Sequence, residues 1–353
     1  MTTLHLGDCL EVLRTMEDNS VHAIVTDPPY GLAFMGKRWD YDVPSVEIWA
    51  ECLRVLKPGG YLLAFAGTRT QHRMAVRIED AGFEIRDMIA WVYGSGFPKS
   101  LDVSKAIDKA AGAEREVVAT VKKTPSASAN CNEGWVRPWA EGKTTMDITA
   151  PATPEAQQWA GWGTALKPAL EPITMARKSL AGTVAANVLE HGTGGLNVDG
   201  CRLGTEARPV MVRTKTVVAA SSMSGTSTGA TQSGELTTAG RWPANLIHDG
   251  SDEPTALLGS AARFFYTAKA SRADRGHGNN HPTVKPLDLM AYLCRLVTPP
   301  GGTVLDPFMG SGTTIKAALS EGFDAIGIER DPAYYAIAQE RLNGAQIGLA
   351  FLP

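Results

Sequence analysis

Val304-Leu305-Asp306-Pro307-Phe308-Met309-Gly310-Ser311-Gly312-Thr313-Thr314 is the stretch on which the fold turns. A short apolar run ends in Asp-Pro, breaks into a turn with two glycines, and continues into an amphipathic segment from about Thr313 to Glu321 that Gly322 ends. A second strand-like run, Asp324 to Glu329, follows at once. Strand, Gly-rich turn, helix and strand in this order predict a βαβ unit. Asp331-Pro332 then predicts another helix, an N-cap followed by proline at the first helical position, with Tyr335, Ala338 and Leu342 as its apolar stripe.

In such a unit a ligand binds beyond the carboxyl ends of the strands, where glycine lets the backbone come close. Gly310 and Gly312 occupy that turn. Glu329 closes the second strand 17 residues after Gly312, near the spacing at which an acid accepts hydrogen bonds from a ribose diol. The third glycine of a dinucleotide fingerprint is missing, and Asp306-Pro307 stands immediately ahead of the loop. An acid there suits a cationic ligand, which favours a sulfonium cofactor with an amino group over NAD.

Outward from this unit, the first hundred residues also alternate apolar and amphipathic runs, the pattern of an α/β sheet. Strands are expected at Val21–Thr26, Tyr61–Ala66 and Ile85–Tyr93, with helices at Glu47–Leu56 and from about Thr70 to Ala81. Directly after the first of these strands stands Asp27-Pro28-Pro29-Tyr30. A carboxylate and a backbone carbonyl, fixed by two prolines beside a flat ring, suit gripping a planar amine. From about Phe97 to Arg275 the chain becomes rich in Pro, Gly, Ser and Thr, and is read as an insertion or a second domain; within it about 219–240 is expected to be a mobile loop.

At 353 residues the chain can bury a large core. It has no apolar stretch of about 18 residues and no basic-then-apolar leader, so neither a membrane span nor a secretory signal is expected, and the protein is read as cytoplasmic. Five scattered cysteines with no C-x-x-C pair predict reduced thiols and no zinc site, and no metal is expected. Residues 121–280 carry 16 Lys+Arg against 13 Asp+Glu, while the remainder has a net charge of -6. A basic middle in an acidic frame fits a phosphate-facing middle, and fits ordinary scatter of surface charge equally.

Asp27-Pro28-Pro29-Tyr30, the Gly310 loop and His281-Pro282-Thr283-Val284-Lys285-Pro286 together resemble the amino-group DNA methyltransferases, which use S-adenosylmethionine on an exocyclic base nitrogen. The resemblance covers both ends of the chain. The catalytic motif precedes the cofactor motif, an order similar to the β group of the family, and Gly163–Leu180 resembles a segment of its phage-type members. The implied fold is α/β, a seven-stranded, mostly parallel, doubly wound sheet. Residues 1–96 would form its catalytic half, 276–353 its cofactor half, and 97–275 an inserted target-recognition, DNA-binding region.

The resemblance also implies site residues. Asp27, Pro28, Pro29 and Tyr30 would be catalytic. Thr283 and Lys285 would hold the cofactor's methionine end, unless the Pro-bounded segment simply caps a helix from Leu287 to Val297. Asp8 would accept from the adenine amine, with Cys9 beside it; Asp8 serves equally as an N-cap. Asp27, Asp306, Phe308, Gly310, Ser311, Gly312, Thr313, Glu329 and Arg330 complete the expected cofactor contacts.

The target amine is a poor nucleophile because its lone pair is delocalised into the ring. Acceptors at Asp27 and the Pro28 carbonyl would localise that pair for direct in-line transfer. Tyr30 would stack on a base flipped out of duplex DNA. Trp135, Trp139, Trp159 and Trp162, with Lys167, Arg177 and Lys178, are candidate DNA contacts, the aromatics being core residues in the other reading. Asp rather than Ser at position 27 leans towards adenine N6. Cytosine N4, an RNA or protein-amide substrate, and a non-catalytic DNA-binding remnant stand as alternatives. The resemblance further implies a homodimer and leaves an endonuclease partner open.

Overall fold

The computed structural model describes residues 1–32, 40–94, 96, 100–122, 145–213, 230–268, 274, 279 and 284–349. Its strands in chain order are β1 (Thr2–Leu6), β2 (Val21–Thr26), β3 (Leu56–Phe65), β4 (Glu84–Val92), β5 (Val117–Lys122), β6 (Thr145–Thr149), β7 (Leu170–Arg177), β8 (Leu203–Arg213), β9 (Ala230–Arg241), β10 (Leu246–His248), β11 (Tyr266–Thr267), β12 (Thr303–Asp306) and β13 (Asp324–Glu329). Nine of them form one sheet in the order β1-β13-β12-β2-β3-β7-β4-β10-β11. Every neighbouring pair is parallel except those made by β7, which runs antiparallel to both β3 and β4.

The sequence explains the sheet's centre. In β2 every residue but His22 is buried, as a strand covered on both faces must be. Along β3 the side chains alternate between two cores. Tyr61, Leu63 and Phe65 join a cluster with helices Leu287–Val297 and Thr313–Ser320; Leu62 and Ala64 join one with helices Val46–Val55 and Gln71–Asp80. Helices on both faces make the sheet doubly wound. Trp49 and Tyr292, nearly fully buried on opposite faces, each stabilise the layers by roughly 2–3 kcal/mol.

The structure corrects the expected organisation in three places. The sheet has nine strands rather than seven, because the short β10 and β11 extend the β4 edge in parallel. The expected insertion, 97–275, is too long: β7 lies inside the main sheet, and the unit that separates from it spans Ser95–Ala169. Residues 230–240, expected within a mobile loop, belong to β9, which pairs with β8. Backbone ladders need no apolar side chains, and Thr-rich segments suit them. The first part of that loop lies outside the described residues.

The Ser95–Ala169 unit holds helix Val103–Ala110, the β5–β6 hairpin and the short helix Pro154–Gln158. Its hub is the buried Asp108, which pairs with Arg115 and accepts from the Ala152 and Thr153 amides and the Thr153 hydroxyl. Among the described residues no helix is long and apolar enough to cross a membrane, and no His, Cys, Asp and Glu grouping could hold a metal.

Candidate active site

Topology gathers the motifs. β2 winds to β3 on one side while its other neighbour, β12, winds to β13 in the opposite sense. The direction of winding reverses between β2 and β12, so a ligand crevice is expected beyond their carboxyl ends. Asp27 follows β2, Asp306 ends β12, Glu329 ends β13 and Asp8 follows β1, so four acids share this edge. β7 runs the other way, so its first residues arrive there too: Ile173 pairs with Phe65, and the Ala66 amide donates to the Pro172 carbonyl at 2.9 Å.

In the Gly-rich turn, Glu329 accepts from the Gly310 amide at 3.0 Å and the Asp331 amide at 2.7 Å. Burial raises its carboxyl and these amides oppose the rise. Gly312 has a φ of 80°, and a Cβ there would lie 3.1 Å from that of Ala338. Phe308 is half-buried, edge-on to Trp49 with ring centroids 6.2 Å apart. Arg330 is exposed.

Other expected cofactor residues are turned to structural work. Asp306 is 2% exposed and accepts from the Thr26 hydroxyl at 2.6 Å and the Phe308 amide at 3.1 Å, so it braces β2 against β12. Burial pushes its carboxyl up to about 6, against the hydrogen bonds of Thr26, Thr314 and Phe308. Ser311 and Thr313 are buried, and their hydroxyls accept from Arg341 at 2.9 and 3.2 Å. Asp8 takes its capping role, accepting from the Leu10 amide at 2.9 Å. The buried Cys9 thiol is pushed up to about 12, first by desolvation.

The Asp27 turn is held from below. The Asp40 carboxylate, 2% exposed, accepts from the amides of Tyr30, Gly31 and Leu32 at 2.6, 3.0 and 3.2 Å. The Thr70 hydroxyl donates to the Tyr30 carbonyl at 2.6 Å. On the turn, the Tyr30 hydroxyl lies 2.7 Å from Asp27 Oδ1 and 3.0 Å from Glu171 Oε2. The Lys285 ammonium lies 2.7 Å from Asp27 Oδ2 and 3.1 Å from Glu171 Oε2. Burial works to lower the Lys285 pKa, but the two carboxylates outweigh it and hold the ammonium above its ordinary range. Burial, then Asp27 and Glu171, raise the Tyr30 phenol well above its ordinary value, so it stays protonated.

Lys285, expected at the cofactor's methionine end, pairs in this structure with Asp27 and Glu171. Thr283 lies outside the described residues, as do Trp135 and Trp139. Asp40, Thr70 and Glu171 were not singled out by sequence. Glu171 lies within Gly163–Leu180, the segment that resembles phage-type members, but only the direction of β7 brings it to this edge.

The expected DNA contacts divide. Arg177 is 8% exposed and paired with Glu84 at 2.6 Å, while Lys178 donates to Asn19 Oδ1 and the Leu56 carbonyl, each at 2.7 Å. Arg177 ends β7 and Lys178 follows it at the edge away from Asp27, because β7 is antiparallel, and both are engaged with protein groups there. Lys167, Trp159 and Trp162 belong to the Ser95–Ala169 unit. There Lys167 is exposed, and the two tryptophans meet edge to face at 5.0 Å, 40% and 60% exposed.

Fold and edge define a doubly wound α/β protein of the class that takes a nucleotide-type cofactor beyond its strands' carboxyl ends. A family model described as DNA methylase, of the N6/N4 methyltransferase type, matches residues 21–340, and the chain belongs to that family. The type II methyltransferase M.HindIII of Haemophilus influenzae is 25% identical over 96% of this chain and 94% of its own length. M.BglI of Bacillus subtilis, also a type II methyltransferase, is 47% identical over 18% of this chain and 19% of its own. Among solved structures, the PvuII DNA methyltransferase (cytosine-N4-specific) has a TM-score of 0.47 and 16% identity, covering 96% of this chain and 86% of that one.

Proposed function

We propose that this DNA methyltransferase moves the methyl group of S-adenosylmethionine to the exocyclic N6 of an adenine flipped out of duplex DNA. The observation that carries the reading is the meeting of Asp27, Tyr30 and the Gly310–Gly312 turn at one carboxyl edge of the sheet.

The chain's residues fit such a cofactor. A carboxylate has about four acceptor directions, and backbone amides engage two at Glu329, so others stay available for a ribose diol. Gly310 and Gly312 let a ligand approach the backbone, and Phe308 offers a half-buried ring. When bound, S-adenosylmethionine supplies an electrophilic methyl group on a sulfonium. Asp27 and the Pro28 carbonyl accept the hydrogens of the target amine and draw its nitrogen towards tetrahedral geometry, so that the lone pair is withdrawn from the ring and localised. Tyr30 packs against the base while its protonated hydroxyl steadies Asp27. Asp40 and Thr70 hold the turn rigid, so these groups are oriented before the base arrives. Exposed Trp159 and Trp162 support a DNA-contacting role for the Ser95–Ala169 unit.

Asp at position 27 favours adenine. Incubating the protein with unmethylated genomic DNA and S-adenosylmethionine, then quantifying nucleosides by mass spectrometry, tests the reading. N6-methyladenine is expected, and Asp27→Ala abolishes it while cofactor binding measured by calorimetry persists. N4-methylcytosine would overturn the base assignment, and the absence of any methylated base would overturn the reaction.

A further inference from the structure

Glu171 lies in Gly163–Leu180, outside the expected catalytic and cofactor residues, yet it is a second carboxylate at Asp27. Its strand explains how it gets there. β7 enters the sheet antiparallel at the carboxyl edge, with Glu171 opposite Trp91 and the next residue, Pro172, pinned by the Ala66 amide. Three groups then converge on it: Lys285 at 3.1 Å, the Tyr93 hydroxyl, and the Tyr30 hydroxyl at 3.0 Å, whose one hydrogen it shares with Asp27. Lys285 is in turn enclosed by aromatic rings, 4.9 Å from the centroid of Phe65 and 5.4 Å from that of Tyr30, so its charge is satisfied by carboxylates and ring faces.

Resting on the methyl-transfer reading above, we propose that Glu171 is a positioning residue of the reaction, which shares the Lys285 ammonium with Asp27 so that the two carboxylates and the ammonium together keep one net negative charge. Among the described residues, two anions, one cation and the neutral phenols of Tyr30 and Tyr93 make up that balance. It matters when the N–CH3 bond forms and the S–CH3 bond breaks, because the sulfur keeps the bonding electron pair. The amine nitrogen is then cationic until one of its protons passes along its hydrogen bond to Asp27 and from there to water. Fixed negative charge on partly buried carboxylates stabilises that developing cation without reorganisation. Were Glu171 neutral, Lys285 would pair with Asp27 alone, and the acceptor facing the amine would be weakened. Were Lys285 neutral, Asp27 and Glu171 would face each other without a cation, and one of them would hold a proton at a higher pH.

The full-length protein and its Glu171→Gln, Glu171→Asp, Lys285→Met and doubly substituted Glu171→Gln/Lys285→Met forms are compared for kcat, KM for DNA, S-adenosylmethionine affinity and the pH profile of kcat. Glu171→Gln is expected to lower kcat on the order of tenfold, the effect of about one charged hydrogen bond, with cofactor affinity unchanged. Glu171→Asp recovers part of the loss. Lys285→Met moves the acidic limb of the profile to higher pH, and adding Glu171→Gln moves it back; among the described residues Tyr30, Tyr93 and Asp306 are the other titratable neighbours and are unaltered in all forms. A wild-type kcat in Glu171→Gln, or a fall in kcat matched by loss of cofactor binding and of folding, overturns the role. So does a limb that the second substitution leaves in place. A wild-type protein inactive on DNA defeats the methyl-transfer reading and this inference with it, whereas an active wild type with an indifferent Glu171→Gln defeats this inference alone.

Discussion

Asp306 shows how little a motif letter says about the work a side chain does. As the acid ahead of a Gly-rich turn it reads as a partner for a cationic ligand, but the fold buries it to 2% exposure between β2 and β12. Burial lifts its carboxyl from 3.8 to about 6, so the native state binds the proton more tightly than the unfolded chain. Its contribution to stability is therefore greatest below about pH 4, declines as the pH rises through 6, and stays low above. Asp306→Asn keeps an oxygen for Thr26 and Phe308 and removes the charge. Urea unfolding at several pH values should find the variant's stability, relative to wild type, rising between pH 4 and 6 by roughly 2–3 kcal/mol. An unchanged difference across that window would show Asp306 to be ordinary in its titration. Asp8 and Arg177 teach the same lesson: capping by Asp8 was open from sequence, whereas the burial of Arg177 depends on a strand direction that no local pattern carries.

Elements were more legible than residues wherever local chemistry alone dictated them. Both strands of the final βαβ unit, Thr303–Asp306 and Asp324–Glu329, lie where the sequence puts them, because glycine turns and apolar runs delimit them locally. β7 was hidden: Pro172 near its start argues against a central strand, and its antiparallel placement arises from pairing with β3 and β4. The glycine turn allows a graded test. Gly312 and Gly322 have nearly equal φ, 80° and 81°, but a Cβ at Gly312 would press on Ala338 at 3.1 Å while one at Gly322 meets nothing within 4 Å. Alanine at Gly322 should cost only the backbone part, about 1 kcal/mol, and alanine at Gly312 that plus a displaced Ala338. Calorimetry should therefore show the larger fall in Tm for Gly312→Ala, with weakened S-adenosylmethionine binding in that variant alone. Equal falls would mean that helix Pro332–Leu349 yields freely.

At the scale of the whole molecule, the α/β class and the union of the two chain ends were legible, since motifs at both ends demand a common carboxyl edge. The extent of the inserted part was not, because composition changes gradually while sheet pairing ends abruptly. The register of that pairing makes the division testable. Val92, the last residue of β4, is the direct partner of Leu170, the first of β7, so the chain leaves and re-enters the sheet at points about 5 Å apart. A hairpin-sized linker can join them. Asp27, Tyr30, Glu171, Lys285, the Gly310 turn and Glu329 all lie in the unit made of Met1–Gly94 and Leu170–Pro353. Replacing Ser95–Ala169 by a short Asn-Gly-containing linker should leave a cooperative unfolding transition and S-adenosylmethionine binding within a few-fold of wild type. Methylation of duplex DNA should be lost, since the exposed Trp159, Trp162 and Lys167 go with the deleted unit. Loss of cofactor binding in a folded linker variant would show that the crevice depends on the deleted residues, and retained methylation would remove them from DNA recognition.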